Sequence, residues 1–422
     1  MRKILETLLG FFARQIVKKY KPTIIGITGS YGKTSTRAAV FAVVSQKYKA
    51  YTPPKNLNDK LGLPLGIIGQ DSPGSSLFGW LKVFWRIKML LLFRMQYPEV
   101  LVLEYGIDRV GEMDELLAIA KPDIAVLTSV GISHYEFFLD QHTIEQEKAK
   151  LVLAVSKSES GKPSAVILNA DNEIALRQQS KAHTHVLTYG RSGSVRFDEV
   201  KEVFNGDPHT EFIVHTPSRK FDVQMLALGS AHVSSCLASV AVAEVMNIET
   251  DLIQKGLSQY KPVPGRLQVI AGLRRSWILD DTYNAAPESM QEALALFARF
   301  PATHKIAVLG DMLELGTLSE NAHKAVGEKV ARLGVSHLVT VGPAGKIIAE
   351  ASVLAGLPEE QVISYSYSTD AAEAVRELMR EGSLVLVKGS QGVRMEHITK
   401  AIMAEPMRAG QLLCRQYGKW IQ

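Results

Sequence analysis

Cysteine is scarce in this chain. The 422 residues include two cysteines, Cys236 and Cys414, which lie far apart in the sequence. Two such residues cannot form a disulfide framework and give no zinc-binding spacing, so a reducing cytoplasm is the expected compartment. The sequence also lacks a Ser-His-Asp or Cys-His pattern for covalent catalysis, low-complexity tracts and short internal repeats.

Basic residues slightly outnumber acidic residues in this chain. The formal net charge is +5, and the charged residues are spread along the chain. An excess this small does not indicate a nucleic-acid-binding protein, although it suits anionic substrates or an anionic membrane surface. The hydrophobic content of 46% and the charged content of 22% are typical of a soluble globular protein, and the length predicts two or three domains.

The first 21 residues do not have the features of a signal peptide. Glu6 and Arg14 interrupt the apolar part, and no small-residue cleavage site follows. Apolar residues recur at helical spacing from Ile4 to Val17, so an amphipathic helix is predicted over residues 1–21. We favour a helix that packs on the first domain, and a membrane-surface anchor is the alternative.

A glycine-spaced turn between a strand and a helix is the most informative motif. Residues 23–28 are β-branched and apolar, which predicts a buried strand, and a helix is predicted to follow the turn. The turn and the helix start contain Gly29, Ser30, Tyr31, Gly32, Lys33, Thr34 and Ser35. Backbone N–H groups of such a turn point toward an anion, the lysine reaches the β- and γ-phosphates, and the threonine hydroxyl binds Mg²⁺. Ile27 stands where the strict phosphate-loop pattern has its first glycine, yet the combination predicts a phosphate-binding loop.

Two polar residues follow later apolar runs. VLVLE predicts a buried strand that ends at Glu104, and DIAVLTSVGISH predicts another that brings His134 just past its end. Ligands of α/β folds bind at the carboxyl ends of parallel strands, where a carboxylate and an imidazole could hold a divalent ion. Taken alone, Glu104 could equally be a surface carboxylate and His134 a helix cap.

The back half repeats the order of strand, glycine, polar residues and helix. This repetition predicts a parallel-sheet α/β organisation, with Arg266 in a turn and Asp281 at the end of a short strand. Between about residues 160 and 225 the pattern changes to short strands separated by turns, which predicts an antiparallel margin.

Five segments resemble, in the same order, segments of the Mur ligase family, whose members join amino acids or peptides to peptidoglycan precursors with ATP. They are GITGSYGKTS (26–35), NLNDKLGLPLGII (56–68), DDTYNAAPESM (280–290), VLGDMLELGTLSENAH (308–323) and VKGSQGVRME (387–396). The likeness extends from residue 22 to about residue 400. It implies a central phosphate-loop, parallel-sheet ATPase domain over residues 22–285 and a C-terminal Rossmann-like α/β domain over residues 286–422.

The resemblance also implies roles for matching residues. Lys33 and Thr34 would hold phosphate and a first Mg²⁺, with Glu104 sharing in metal binding, and His134 would help to hold a second Mg²⁺. Lys148, which nothing in its local sequence distinguishes from a solvated lysine, matches a family lysine that is carbamylated in several members. The remaining implied contacts are Arg266 with the ATP phosphates, Asp281 with the ribose, and Asn56, Asn58, Asn284, Lys388, Gly389 and Ser390 with the substrates.

The activity implied by the resemblance is an ATP-dependent ligase with Mg²⁺ as its metal. It would add D-alanyl-D-alanine to a UDP-N-acetylmuramoyl-tripeptide-type acceptor through an acyl phosphate, acting as a cytoplasmic monomer on small molecules and not on nucleic acid. Two alternatives stay open: a ligase of the same kind with another amine or acceptor, and an ATP-binding relative without catalysis.

Two features depart from the family pattern. Only about twenty residues precede the phosphate-loop strand, so the N-terminal domain that grips the UDP end of the substrate is expected to be absent. Residues 76–98 form an apolar and basic insert, in which Lys82, Arg86, Lys88 and Arg94 argue against a transmembrane span. We favour a helix that packs on the core or replaces the missing domain, and a helix lying on a membrane surface at the inner face is the alternative.

Overall fold

The computed structural model describes residues 2–131, 140–157 and 161–420 and confirms the predicted α/β class. Its strands are β1 (Thr23–Thr28), β2 (Ala50–Tyr51), β3 (Val100–Glu104), β4 (Ile124–Leu127), β5 (Ala165–Asn169), β6 (Val186–Tyr189), β7 (Arg196–Val203), β8 (His209–His215), β9 (Lys220–Met225), β10 (Gln268–Ala271), β11 (Trp277–Asp281), β12 (Lys305–Gly310), β13 (His337–Val341), β14 (Val362–Tyr365) and β15 (Leu384–Lys388).

The strands are separated by helices for most of the chain. The described helices are α1 (Arg2–Tyr20), α2 (Lys33–Val44), α3 (Gly62–Ile68), α4 (Leu77–Leu92), α5 (Glu112–Ile119), α6 (Gln141–Ala154), α7 (Glu173–Arg177), α8 (Ser230–Val245), α9 (Thr250–Ser258), α10 (Pro287–Arg299), α11 (Ser319–Ala331), α12 (Gly345–Leu354), α13 (Ser368–Leu378), α14 (Glu396–Ile402) and α15 (Ala409–Leu412).

The first sheet has the strand order β2-β3-β1-β4-β5-β6, and all of its strands are parallel. Its central strands are continuous apolar runs because helices cover both faces of the sheet. The register pairs Ile27 with Glu104 and Thr28 with Leu127, so the turn after β1 and the end of β3 lie at the same edge. This edge carries the carboxyl ends of the strands, where α/β folds bind ligands.

The predicted antiparallel margin is confirmed for only part of its range. Strands β7, β8 and β9 form an antiparallel sheet of their own. The prediction was wrong for β5 and β6, which are parallel members of the first sheet. Short strands of this length do not reveal from sequence alone which neighbours they pair with, because pairing partners are remote in the chain.

Helix α1 packs on the first domain, against α3, α4 and α5, in agreement with the predicted packed helix at the N-terminus. Its residues Leu9, Ala13 and Ile16 are fully buried, in the same core as Ile87 of α4 and Leu103 of β3. Among the residues described, no helix combines the length and the apolar character needed to cross a membrane.

The second sheet has the strand order β10-β11-β15-β12-β13-β14, in which β10 is antiparallel to β11 and the other neighbours are parallel. Strands β10 and β11 therefore belong with the back half of the chain, although the sequence analysis assigned residues up to 285 to the first domain. The sequence of a short hairpin does not show which sheet the hairpin will join, so β10 and β11 were assigned to the domain that precedes them. We propose that the domain boundary lies just before residue 268.

Candidate functional site

The phosphate-binding loop connects β1 to α2 in a compact turn. Gly32 has φ 81°, a left-handed backbone conformation that favours glycine, and it directly precedes the helix. The turn is fixed by Ser129, just after β4: its hydroxyl accepts from the Tyr31 N–H at 2.9 Å, and its carbonyl accepts from the Ser30 N–H at 2.9 Å. The N–H groups of the first turn of α2 thus face the edge of the sheet where an anion would bind.

The amine of Lys33 folds back over this loop. It donates to the carbonyl of Gly29 at 2.7 Å and to the carbonyl of Ser30 at 3.3 Å. Burial lowers the pKa of Lys33, and the nearby Glu104 carboxylate opposes that shift. A bound phosphate would offer the amine an anionic partner in place of two carbonyls.

Glu104 joins the phosphate loop to the segment between β2 and α3. One of its carboxylate oxygens accepts from the Thr34 hydroxyl at 3.1 Å, and the other accepts from the Asn58 amide at 3.0 Å. The Arg37 guanidinium lies 3.9 Å away, and Glu104 is almost completely buried. From the opposite wall, Arg266 approaches the Thr34 hydroxyl at 3.4 Å.

A hydroxyl and a carboxylate in contact at a helix N-terminus fit the oxygen preference of Mg²⁺. In the described ranges 2–131, 140–157 and 161–420, no three or more His, Cys, Asp or Glu residues cluster as a metal site. Two protein oxygens suffice for Mg²⁺ when phosphate oxygens and water complete the coordination. His134, the other predicted ligand, falls in residues 132–139 and so outside the described residues.

Lys148 lies beneath the phosphate loop and not on the surface. Its amine donates to the carbonyl of Gly29 at 3.1 Å, and the side chain is almost completely buried. Burial lowers the pKa of Lys148 well below its ordinary value, and the neighbouring Lys33 ammonium lowers it further. Its surroundings therefore disfavour the charged form of the amine.

A cleft of about 960 Å³ opens above this edge of the first sheet. The predicted site residues that line it are Ser30, Tyr31, Gly32, Lys33, Thr34, Ser35, Asn56, Asn58, Glu104, Arg266, Asp281, Asn284, Lys388 and Ser390. Three other predicted residues stand behind the lining: Gly29 and Lys148 beneath the loop, and Gly389, where an added Cβ would come within 2.7 Å of the Met395 side chain.

The second sheet contributes a buried ion pair to the cleft. Lys388 donates to the Asp281 carboxylate at 2.6 Å and to the carbonyl of Asn284 at 3.0 Å, while the Leu267 N–H donates to Asp281 at 3.0 Å. Sequence analysis treated Asp281 and Lys388 as separate ligand contacts. The structure pairs them because β11 and β15 are neighbours, with Asp281 opposite Lys388.

Ser390 and Asn284 hold the loops of the second sheet together. The Ser390 hydroxyl accepts from the Leu313 N–H at 2.8 Å and donates to the carbonyl of Ala285 at 3.3 Å. The Asn284 side chain accepts from the Gln391 N–H at 3.4 Å. Both side chains therefore shape the wall of the cleft as well as lining it.

Tyr283 is a functional candidate to which the sequence analysis assigned no role. The Arg266 guanidinium lies 3.9 Å from the centre of its ring, and the Asn56 amide donates to its hydroxyl. Tyr283 thereby fixes both an arginine and an asparagine of the predicted site. The signal available in the sequence was its place in DDTYNAAPESM, directly after the strand that ends at Asp281.

Glu292 is a second candidate that the sequence did not reveal. This residue of α10 lines the cleft, and burial raises the pKa of its carboxyl to about 7, with the nearby Asp281 adding to the shift. Nothing in the helical sequence around Glu292 distinguishes it from a solvated glutamate.

Fold and site together define a class of protein: an α/β nucleotide-binding enzyme whose phosphate loop, on a parallel sheet, faces a second sheet domain across a cleft. Comparison with family models identifies the Mur ligase middle domain over residues 86–243 and the Mur ligase glutamate ligase domain over residues 265–391. The chain belongs to the Mur ligase family. The second matched domain begins at residue 265, close to the boundary proposed from the sheets.

Relatives match along nearly the whole chain. The UDP-N-acetylmuramoyl-tripeptide–D-alanyl-D-alanine ligase of Bacillus subtilis (strain 168) is 29% identical over 95% of this chain and 80% of its own length. The ligase of the same name from Mycobacterium tuberculosis (strain H37Rv) is 30% identical over 91% of this chain and 73% of its own length.

Solved structures agree in fold. The MurF ligase of Thermotoga maritima in complex with ADP is 26% identical, with a TM-score of 0.76 over 94% of this chain and 83% of that one. The MurF of Acinetobacter baumannii superimposes with a TM-score of 0.78 over 96% of this chain and 80% of that one, at 23% identity.

Proposed function

We propose that this chain is an ATP-dependent ligase that adds D-alanyl-D-alanine to a UDP-N-acetylmuramoyl-tripeptide-type acceptor in peptidoglycan precursor synthesis. The names of the Bacillus subtilis and Mycobacterium tuberculosis relatives support this substrate pair. The observation that carries the proposal is the cleft, in which the phosphate loop, Glu104 and Arg266 face Lys388 and Ser390 of the second sheet.

ATP binds along the phosphate loop in this proposal. Backbone N–H groups of residues 29–35 and the Lys33 amine hold the phosphates, Arg266 reaches them from the opposite wall, and Asp281 contacts the ribose. Thr34 and Glu104 are the residues that would hold Mg²⁺, which when bound offsets negative charge on the phosphates. The 3.1 Å contact between the two side chains is the support for that assignment.

His134 and Lys148 are proposed to hold a second Mg²⁺. A lysine becomes an anionic ligand only after its neutral amine adds to carbon dioxide and loses a proton. Burial and the adjacent Lys33 ammonium lower the pKa of Lys148, and this direction favours the neutral amine that carbamylation requires. The burial of Lys148 would then make the carbamate hard for bulk water to reach.

The reaction proceeds through an acyl phosphate. The acceptor carboxylate attacks the γ-phosphorus, the bond to the bridging oxygen breaks, and ADP leaves. The amine of D-alanyl-D-alanine then attacks the acyl carbon, the amide forms as the amine loses a proton, and phosphate leaves. No protein nucleophile is needed, which agrees with the lack of a covalent-catalysis pattern in the sequence.

Positioning and charge compensation are the contribution of the protein. Two unit charges of like sign about 4 Å apart repel by ~1 kcal/mol in water and by several times more in a dry cleft. Lys33 and Arg266 reduce this repulsion between the acceptor carboxylate and the triphosphate. Asn56 and Asn58 lie on the acceptor side, and residues 388–390 with Asn284 close the cleft from the second sheet.

The test is nucleotide turnover with each substrate present or omitted. We expect release of ADP and phosphate only when both D-alanyl-D-alanine and the muramoyl-tripeptide acceptor are present, with a product heavier than the acceptor by the dipeptide minus water. Lys33→Ala should abolish turnover, whereas the control Lys346→Ala, at an exposed position of α12, should not change it.

Two results would count against the proposal. Turnover with another amine but none with D-alanyl-D-alanine would reject the substrate pair. Absence of Mg²⁺-assisted ATP binding in calorimetry would reject the ligase function as a whole.

The same proposal places the protein in the cytoplasm as a monomer that acts on small molecules. It includes a peripheral contact with the inner face of the membrane. The basic composition of residues 76–98 is the support for that contact.

A further inference from the structure

Helix α4 exposes an apolar face to solvent. Leu77, Phe78, Leu81 and Trp85 are 81%, 86%, 65% and 61% exposed, and we refer to these four residues as the apolar face of α4. Single exposed apolar residues are ordinary, but a contiguous helical set of large ones marks an interaction surface.

The opposite side of α4 is part of the core. Val83, Ile87 and Leu90 are buried among residues of α1, α3 and β3. One side of α4 is therefore packed against the rest of the protein, and its apolar face lies on the opposite, solvent-exposed side.

Both ends of α4 are held in place. The Ser76 hydroxyl accepts from the Gly79 N–H at 3.1 Å and caps the start of the helix. At the other end, the Lys19 amine donates to the carbonyls of Leu90, Leu91 and Phe93 at 2.9, 2.9 and 2.7 Å. The apolar face is thus preformed and need not fold when it meets a partner.

The charged side chains of the segment that carries the apolar face have one sign. Lys82, Lys88 and Arg94 are exposed, and residues 77–98 contain no aspartate or glutamate. The Lys88 amine lies 5.7 Å from the centre of the Trp85 ring, so an indole and a cation occupy adjacent positions. This combination suits a boundary between a hydrocarbon layer and anionic head groups.

Helix α1 has the same character beside α4. Its side chains Ile4, Leu8 and Phe11 recur at helical spacing and are exposed. The first 21 residues contain six lysines and arginines and a single glutamate. The helix that packs against α4 therefore also has a basic excess and exposed apolar side chains.

We infer that the apolar face of α4 docks on an anionic lipid bilayer, with the helix lying in the plane of the membrane surface. The inference shares with the proposed function only the peripheral membrane contact and gives it a surface and a lipid class. Lipid binding needs no turnover, so the failure of one can be told from the failure of the other.

The test is co-sedimentation of the full chain with vesicles, in the absence of nucleotide and substrates. We expect binding to vesicles of 7:3 phosphatidylcholine and phosphatidylglycerol, weak binding to pure phosphatidylcholine, and weaker binding as salt rises. A variant in which Leu77, Phe78, Leu81 and Trp85 are all replaced by serine should bind the anionic vesicles about tenfold or more weakly.

Two further variants sharpen the result. Lys82→Gln, Lys88→Gln and Arg94→Gln together should remove the preference for anionic vesicles. The matched control, Leu354→Ser with Met407→Ser, replaces highly exposed apolar residues elsewhere and should bind like the wild type. Midpoints of urea unfolding should agree among the wild type and all three variants, which shows that each is folded.

Three outcomes would overturn the inference. They are equal binding of wild type and the quadruple serine variant, equal binding to neutral and anionic vesicles, and self-association of the wild type that the serine substitutions abolish. The last would assign the apolar face of α4 to a protein partner.

Discussion

Lys148 shows how far the surroundings of one residue can change its chemistry. A lysine on a helix is usually solvated and cationic, yet this one lies beneath the phosphate loop with its amine against the carbonyl of Gly29. Burial and the adjacent Lys33 disfavour its charged form. The same side chain can thus be a structural donor or, once carbamylated, a metal ligand.

Lys148→Ala should separate these two roles. We expect the variant to lose at least ~100-fold in turnover, because charge stabilisation at the reacting phosphate is worth several kcal/mol. Added acetate or formate should restore part of the activity by supplying a carboxylate in the vacated space. A variant that is inactive and gains nothing from either acid would indicate the structural role alone.

Asp280 carries a pH-dependent contribution to stability. Burial raises the pKa of its carboxyl to about 7 from 3.8, although the hydroxyls of Thr282 and Thr399 each donate to it at 2.9 Å. The unfolded chain releases this proton at lower pH. The group therefore stabilises the folded state fully below about pH 4 and loses that contribution as pH rises through about 7.

Asp280→Asn should remove this dependence. At one pKa unit per 1.36 kcal/mol, we expect the free energy of unfolding of the wild type to fall relative to the variant by up to ~4 kcal/mol between pH 4 and pH 8. Urea unfolding of both proteins at each pH measures the difference. Parallel profiles for the two proteins would contradict the assignment to Asp280.

At the scale of elements, the turn between β1 and α2 is limited by its neighbour β4. A Cβ added at Gly29 would lie 2.0 Å from the Thr128 hydroxyl and 2.9 Å from the Ser129 nitrogen. The two strands are adjacent in the sheet, so neither can withdraw without breaking their pairing. The loop can therefore adopt this conformation only with glycine at position 29.

Gly29→Ala should distort the phosphate loop. We expect ATP affinity to fall by about tenfold or more and the free energy of unfolding to fall by ~1–3 kcal/mol, as in other overpacked sites. Calorimetric titration with ATP and urea unfolding measure the two effects. Gly410→Ala is the control, because its Cβ would meet no atom within 4 Å; equal losses in the two variants would contradict the steric argument.

At the scale of the whole molecule, the cleft depends on contacts between remote parts of the chain. Arg415 is almost fully buried near the C-terminus and donates to Glu396 at 2.7 and 3.1 Å and to the carbonyl of Tyr283 at 2.9 Å. Tyr283 in turn supports Arg266. Arg415 therefore supports the wall that faces the phosphate loop.

Arg415→Met should destabilise the protein by ~1.5–3 kcal/mol, because Glu396 and the Tyr283 carbonyl lose a buried charged donor while Arg394 still pairs with Glu396 at 2.6 Å. Arg408→Met removes an exposed ion pair with Glu405 and should cost less than about 1 kcal/mol. Urea unfolding of both variants gives the comparison. Similar losses in the two would mean that the buried pair does not hold the wall.

The sequence predicts this molecule best where function depends on consecutive residues. The strand, turn and helix around Lys33 were predictable because apolar periodicity and turn residues are local signals. The position of Glu104 at the end of a strand was predictable for the same reason. The α/β class followed from the alternation of such segments.

Contacts between distant residues were not predictable in this way. The pairing of Asp281 with Lys388 depends on β11 lying beside β15, and the contact of Asn58 with Glu104 depends on how two loops meet. The burial of Lys148 was likewise not predictable, because it depends on which distant residues pack over α6. Periodicity within one segment carries none of this information, which explains why β5 and β6 were assigned to the wrong sheet.

The strand order of the second sheet has a consequence for synthesis on the ribosome. Strand β15 leaves the exit tunnel after all the other strands, yet it inserts between β11 and β12 at the middle of the sheet. A nascent chain must therefore keep that gap open until residues 384–388 have left the ribosome, and a chain that stops before them lacks the strand that joins β11 to β12. Because Lys388 ends that strand, the cleft is incomplete until β15 has joined the sheet.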